Sequence, residues 1–220
     1  MQISFFFCIF VADFQKFIIV MLFQSQILDF KRFLPWNRTK KRKTEIRELM
    51  RQKLRVQTPE DLQAWSGQVI ERLEQQHMFR RARVVMFYYP VHHEVDLRPL
   101  LDKYKDEKVI LLPVTHHDYI ELRQYVGAEN MKKGHYDIPT PQTGTYRGTP
   151  DLVIVPGLAF DKDLVRMGRG KGYYDRFLRK LGNVPKIGIC YDFQIQESLP
   201  WSLHDIRMDK VITPSATYER

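Results

Sequence analysis

"DLVIVPGLAFDKDLVRMGRGKGYYDRFLRKL", residues 151–181, decides the fold. It opens on a nearly continuous apolar run, Leu152 to Phe160, and closes on an amphipathic run from Tyr173. A short apolar run bounded by turn residues is a strand buried on both faces, and a helix after it is the repeating unit of an α/β sheet. Between the two stand Gly168, Gly170 and Gly172, alternating with Arg169 and Lys171 and preceded by Arg166 and Met167. Such a sheet places its ligand beyond the carboxyl end of a strand, where helix N-terminal amides attract anions. Glycines let the backbone approach a phosphate closely, and the three cations add full charge. Asp175, in the first helical turn, would repel a bare phosphate but suits a magnesium ion held directly or through water. The stretch therefore fits a magnesium-bound nucleotide. It lacks the GK[ST] of a Walker A loop, and its spacing is GxGxG rather than GxGxxG. Standing alone, it would read as a basic surface loop.

Working outward, strand-like and helix-like segments alternate. "RVVMFYYP", "KVILLPV", "YIELRQYV", "KIGICYD" and "DKVITP" read as strands, the third as a hairpin arm. "VDLRPLLDKYK" reads as a short helix and "MKKGHYDIPTPQTGTYRGTP" as a Gly/Pro-rich loop. In "TPEDLQAWSGQVIERLEQQ", Thr58 caps a helix, Pro59 suits its first turn, and Asp61 stands at a capping-box position. In "KTEIRELMRQKLR", Ile46, Leu49, Met50 and Leu54 recur at helical spacing. Lys43, Arg47 and Arg51 border that apolar face four residues apart. They are either a solvated edge or a comb of cations facing phosphates, and periodicity alone does not choose. The expected fold is one α/β domain from residue 42 to 215, a mostly parallel mixed sheet with helices on both faces.

The chain of 220 residues carries a net charge of +9. Eleven Lys/Arg against two Glu in residues 31–55 account for all of it. A charge so localised suggests one basic segment meeting a polyanion or a membrane face, not a wholly basic surface. Nine of the fourteen phenylalanines fall in residues 1–34, where Asp13 and Lys16 interrupt the apolar run. Those charges disfavour a membrane span for residues 1–30, and no signal-peptide pattern is clear. Residues 1–41 read as an extension outside the fold, consistent with an upstream start codon, with "KRFLPWNRTKKRK" as a basic linker. Cys8 and Cys190 form no CxxC pair and no disulfide framework, which fits a reducing, cytoplasmic setting; Cys190 reads as a small buried apolar residue. The pairs in "HHEVD" and "HHD" lack metal-site spacing, because neighbours on a strand point to opposite faces.

"VPGLAFDKDLVRMGRGKGYYDRFL" resembles the signature of the 5-formyltetrahydrofolate cyclo-ligase family. "KTEIRELMRQKLR", "YYPVHHEVDL", "KIGICYDFQI" and "LHDIRMDKVIT" are similar to further segments of that family, so the resemblance spans residues 43–213. It implies a three-layer, isomerase/CoA-transferase-like fold. It implies ATP- and Mg²⁺-dependent closure of 5-formyltetrahydrofolate to 5,10-methenyltetrahydrofolate through a phosphorylated formyl intermediate. It also implies small-molecule substrates, a monomer, and no nucleic-acid partner. Carried over by residue, Lys43 and Arg47 match ATP-contacting cations. Arg166, Met167, Gly168, Arg169, Gly170, Lys171, Gly172, Tyr173 and Tyr174 match the nucleotide loop, with Arg169 and Lys171 as its catalytic cations. Asp175 and Asp205 match magnesium-associated acids, and Tyr89, Glu94 and Tyr173 match substrate contacts. One departure stands out. Leu164 occupies a position where the family has glycine, which implies a positive-φ turn unfavourable to leucine and a loop bent differently here. A basic nucleic-acid-binding module and a sugar-phosphate enzyme of related fold are the alternatives.

Overall fold

The computed structural model describes residues 35–91, 93–116, 119–134, 137–202 and 205–219. The expectations for residues 1–30, and for His92, His117 and Asp118 in the histidine pairs, lie outside the described residues. The chain divides between Thr44 and Glu45 into two compact units; the sheet and the site lie in the second.

The main sheet runs in the order β12-β11-β9-β6-β1-β2-β3. Its strands are β1 (Val84–Met86), β2 (Val109–Thr115), β3 (Ile120–Gln124), β6 (Leu152–Pro156), β9 (Lys186–Ile189), β11 (Lys210–Ile212) and β12 (Thr217–Glu219). Strands β11, β9, β6, β1 and β2 pair in parallel, and β12 and β3 close the edges antiparallel. Two short sheets, β4 (Met131–Lys133) with β5 (Pro139–Pro141) and β10 (Ile195–Gln196) with β7 (Ala159–Asp161) and β8 (Arg166–Met167), complete the strands.

Strand residues alternate between two cores. Val85, Ile110, Leu112, Leu152, Ile154 and Ile187 face one; Met86, Leu111, Val153 and Val155 face the other. This period of two is why the strands read as continuous apolar runs. The first core is covered by α1 (Pro35–Arg55, through Met50 and Leu54), α2 (Pro59–Gln75), α3 (His77–Arg81) and α4 (Arg98–Tyr104). The second is covered by α5 (Tyr173–Lys180), through Leu178. The fold is thus three-layered α/β, as expected. Cys190 is buried in the second core, and burial pushes its thiol well up.

Thr58 caps α2 as the spacing predicts: its hydroxyl accepts from the Asp61 amide at 3.1 Å and donates to the Asp61 carboxylate at 2.8 Å. Two boundaries differ from the sequence reading. Helix α1 already covers Pro35 onward among the described residues, so the later part of the segment read as a linker is helical. Strand β12 lies past residue 215, and its pairing with β11 supplies an edge that its short half-polar sequence does not announce. No helix among the described residues is long and apolar enough to cross a membrane.

Candidate active site

The apolar run that opens the signature is two strands rather than one. It bends at Gly157, where a Cβ would sit 2.6 Å from the Phe160 ring. Strand β7 then ends at Asp161, a buried carboxylate that organises the turn after it. Its Oδ1 accepts from the amides of Asp163 (3.0 Å) and Val165 (2.9 Å), and its Oδ2 from that of Leu199 (2.8 Å). These bonds hold a turn in which Leu164 has φ +63°. The positive φ implied by the family glycine is therefore kept. Leucine adopts it because its side chain is fully buried in the second core. Left-handed backbone costs a leucine about 1–2 kcal/mol, and burying the side chain returns about 1.5–3 kcal/mol. The loop keeps the left-handed bend, and packing holds the residue there.

Beyond the turn, Arg166 is only 6% exposed. Its guanidinium donates to the Pro156 carbonyl (3.2 Å) and to Asp175 Oδ1 (3.0 Å) and lies 5.4 Å from the Tyr174 ring centroid. Met167 is buried too. Both were expected in the nucleotide loop; they form its wall, tying β8 to the start of α5. Their period-two place on a strand hides this in the sequence.

The glycine loop meets helix α1. Arg47 Nε donates to the Gly168 carbonyl at 2.9 Å, and the Cβ position of Gly170 (φ +109°) is 3.5 Å from the Arg47 guanidinium carbon. Gly172, at φ +68°, is the residue before α5. Burial, then Arg51, pulls the Arg47 pKa down, while Asp205 and Asp175 act in the opposite direction. One cation thus feels both acids expected near magnesium. Asp205 accepts from the Ser202 amide at 2.9 Å, which fixes its carboxylate in a turn. Lys171 is exposed, its carbonyl accepting from Arg176 (3.0 Å), and the Arg176 guanidinium lies 5.1 Å from the Tyr173 ring centroid. Lys43 belongs to the unit that ends at Thr44.

Beside the loop lies a small cleft whose lining includes Tyr88, Glu94, Leu158, Arg169 and Gln194. Arg169 Nη2 meets Glu94 Oε1 at 2.8 Å, and Nε meets the same oxygen at 3.3 Å. Glu94 Oε2 accepts from the Val91 amide at 3.2 Å, and its carbonyl accepts from the Tyr191 hydroxyl at 3.2 Å. Gln194 braces the floor, donating to the carbonyls of Gly157 (3.1 Å) and Leu158 (3.0 Å). Burial pushes the phenols of Tyr88 and Tyr174 up, that of Tyr191 to about 12, so all three are neutral at pH 7.

Tyr88 and Tyr89 follow the end of β1 at Met86. Tyr88 lines the cleft, whereas Tyr89 interacts with Arg98. Asp161, Gln194 and Tyr191 were not picked out from the sequence. A carboxylate closing an apolar strand, before an Asp-rich turn, was the signal available for the first.

A model of the 5-formyltetrahydrofolate cyclo-ligase family matches residues 39–214. The chain belongs to the 5-formyltetrahydrofolate cyclo-ligase family. Among its relatives, a mouse 5-formyltetrahydrofolate cyclo-ligase is 26% identical over 77% of this chain and 92% of its own length. The Escherichia coli K12 5-formyltetrahydrofolate cyclo-ligase is 28% identical over 78% of this chain and its whole length. The solution structure of Aquifex aeolicus 5,10-methenyltetrahydrofolate synthetase superposes with a TM-score of 0.73 at 33% identity, covering 80% of this chain and 92% of that one. Membership bears out the expected family and the expectation of an enzyme.

Proposed function

We propose that this cyclo-ligase family member joins N10 to the formyl carbon of 5-formyltetrahydrofolate at the expense of ATP, giving 5,10-methenyltetrahydrofolate, ADP and phosphate in the cytoplasm. The observation that carries the reading is the meeting of Arg47 with the glycine loop beside a cleft holding Glu94. Cations for a triphosphate and an acceptor for a pterin thereby stand on adjoining walls.

In this reading the loop amides, Arg169 and Lys171 hold the γ-phosphate, with Arg47 approaching from the first helix. The formyl oxygen attacks the γ-phosphorus as the bond to ADP breaks. The N10 amine then attacks the activated formyl carbon, the C–O bond breaks, and phosphate leaves with the former formyl oxygen. The N10 proton passes to solvent. Such transfer depends on positioning and charge neutralisation rather than on a protein nucleophile. Glu94 accepts from the pterin amino and ring N–H groups, and Tyr173 lies against the folate.

Among the described residues no three metal-ligating side chains gather. Magnesium takes one or two carboxylates and fills its shell with phosphate and water, and Asp175 and Asp205, both acting on Arg47, fit that donor set. The ion would supply positive charge on the phosphates. The substrates are small molecules, and the working unit is a monomer whose catalytic domain runs from residue 42 through β12. Absorbance of the methenyl product, followed with ATP and Mg²⁺ present or omitted, tests the reading. Growth only with both supports it, and no product with both present refutes it.

A further inference from the structure

Arg169 and Glu94 belong to different ligands in the proposed reaction, yet they satisfy each other. Arg169 places both Nε and Nη2 on Glu94 Oε1, and the Val91 amide occupies Oε2. Each must leave the other to serve its ligand. Their surroundings let side chains move while the backbones stay. The Gly168 carbonyl is held by Arg47 on one side of Arg169, and the Glu94 carbonyl by Tyr191. The arginine is half exposed, 51%, so it can swing; the glutamate, 17% exposed, is the more confined partner.

We propose that the Arg169–Glu94 ion pair couples the two ligand sites, so that nucleotide binding frees Glu94 for the pterin and raises folate affinity. The proposal rests on the functional reading above. A nucleotide that draws Arg169 onto its phosphates breaks the pair once. A folate arriving afterwards no longer competes with the guanidinium for Oε1. Linkage makes the effect reciprocal, so folate tightens nucleotide binding by the same factor. A partly exposed ion pair sets the size at about fivefold.

The test is calorimetric titration of the full chain with 5-formyltetrahydrofolate, with and without saturating β,γ-imido-ATP and Mg²⁺. Folate should bind about fivefold tighter with the analogue. In Arg169→Gln the coupling should fall to near one, with folate affinity in the absence of analogue rising toward the coupled value. Thermal melting checks that the variant is folded. Equal folate affinity with and without analogue in the unsubstituted protein overturns the coupling and leaves the functional reading intact. Full coupling retained in folded Arg169→Gln also overturns it. Failure of folate to bind under either condition refutes the functional reading and the coupling with it.

Discussion

Arg47 Nε donates to the carbonyl of Gly168 at 2.9 Å, across 121 residues of sequence. That bond fixes the glycine loop to the first helix and leaves the charge of Arg47 within the electrostatic reach of Asp205 and Asp175. Replacing Arg47 by alanine should raise the KM for ATP about tenfold with a smaller change in kcat, since a charge-assisted bond is worth about 1.5–3 kcal/mol. Steady-state kinetics at varied ATP checks this. A selective fall in kcat would move Arg47 from gripping the nucleotide to stabilising the transition state.

Lys171 is exposed at the tip of the same loop. If it neutralises charge developing on the transferred phosphoryl group, Lys171→Ala should lower kcat by about 10³-fold. Its melting temperature should hardly change, because an exposed lysine contributes little to folding. A double-mutant cycle with Arg47→Ala should be non-additive for ATP affinity. Strict additivity, with both single variants near the unsubstituted protein, would separate the two cations.

Leu164 sets packing against backbone strain. Leu164→Ala loses the packing and keeps the strain, at a cost of about 3 kcal/mol. Leu164→Gly loses the same packing but regains about 1 kcal/mol at the positive φ. Urea denaturation should therefore rank leucine above glycine and glycine above alanine. Glycine at or above leucine would show that strain outweighs burial.

Asp175 serves two roles that Asp175→Asn can separate. Arg166, with 4% of its side chain exposed, loses a charged partner, which should cost about 3 kcal/mol of stability. The magnesium concentration needed for half-maximal activity should rise as well. A stability loss with an unchanged magnesium titration would make Asp175 a brace for Arg166 and remove it from the metal site.

What was legible in the sequence follows physical range. Strands covered on both faces show as apolar runs, and the Thr58 cap shows because its partner lies three residues away. The glycine loop shows because its constraint is local. That Tyr88 lines the cleft was not legible, because the chain past β1 has no strand alternation to read and the Tyr88 hydroxyl finds the Val95 carbonyl only in the folded chain. Arg166 read as a ligand group because burial of a guanidinium against Asp175 is a tertiary event. The reach of Asp161 was not legible because, beyond its local turn, its second oxygen binds the Leu199 amide from 38 residues away.

The fate of the formyl oxygen tests the proposed chemistry most directly. 5-Formyltetrahydrofolate labelled with heavy oxygen in the formyl group is turned over once with ATP and Mg²⁺, and the phosphate released is analysed by mass. Attack of the formyl oxygen on the γ-phosphorus predicts one labelled oxygen in each phosphate. Unlabelled phosphate, with the label appearing in water, would contradict it.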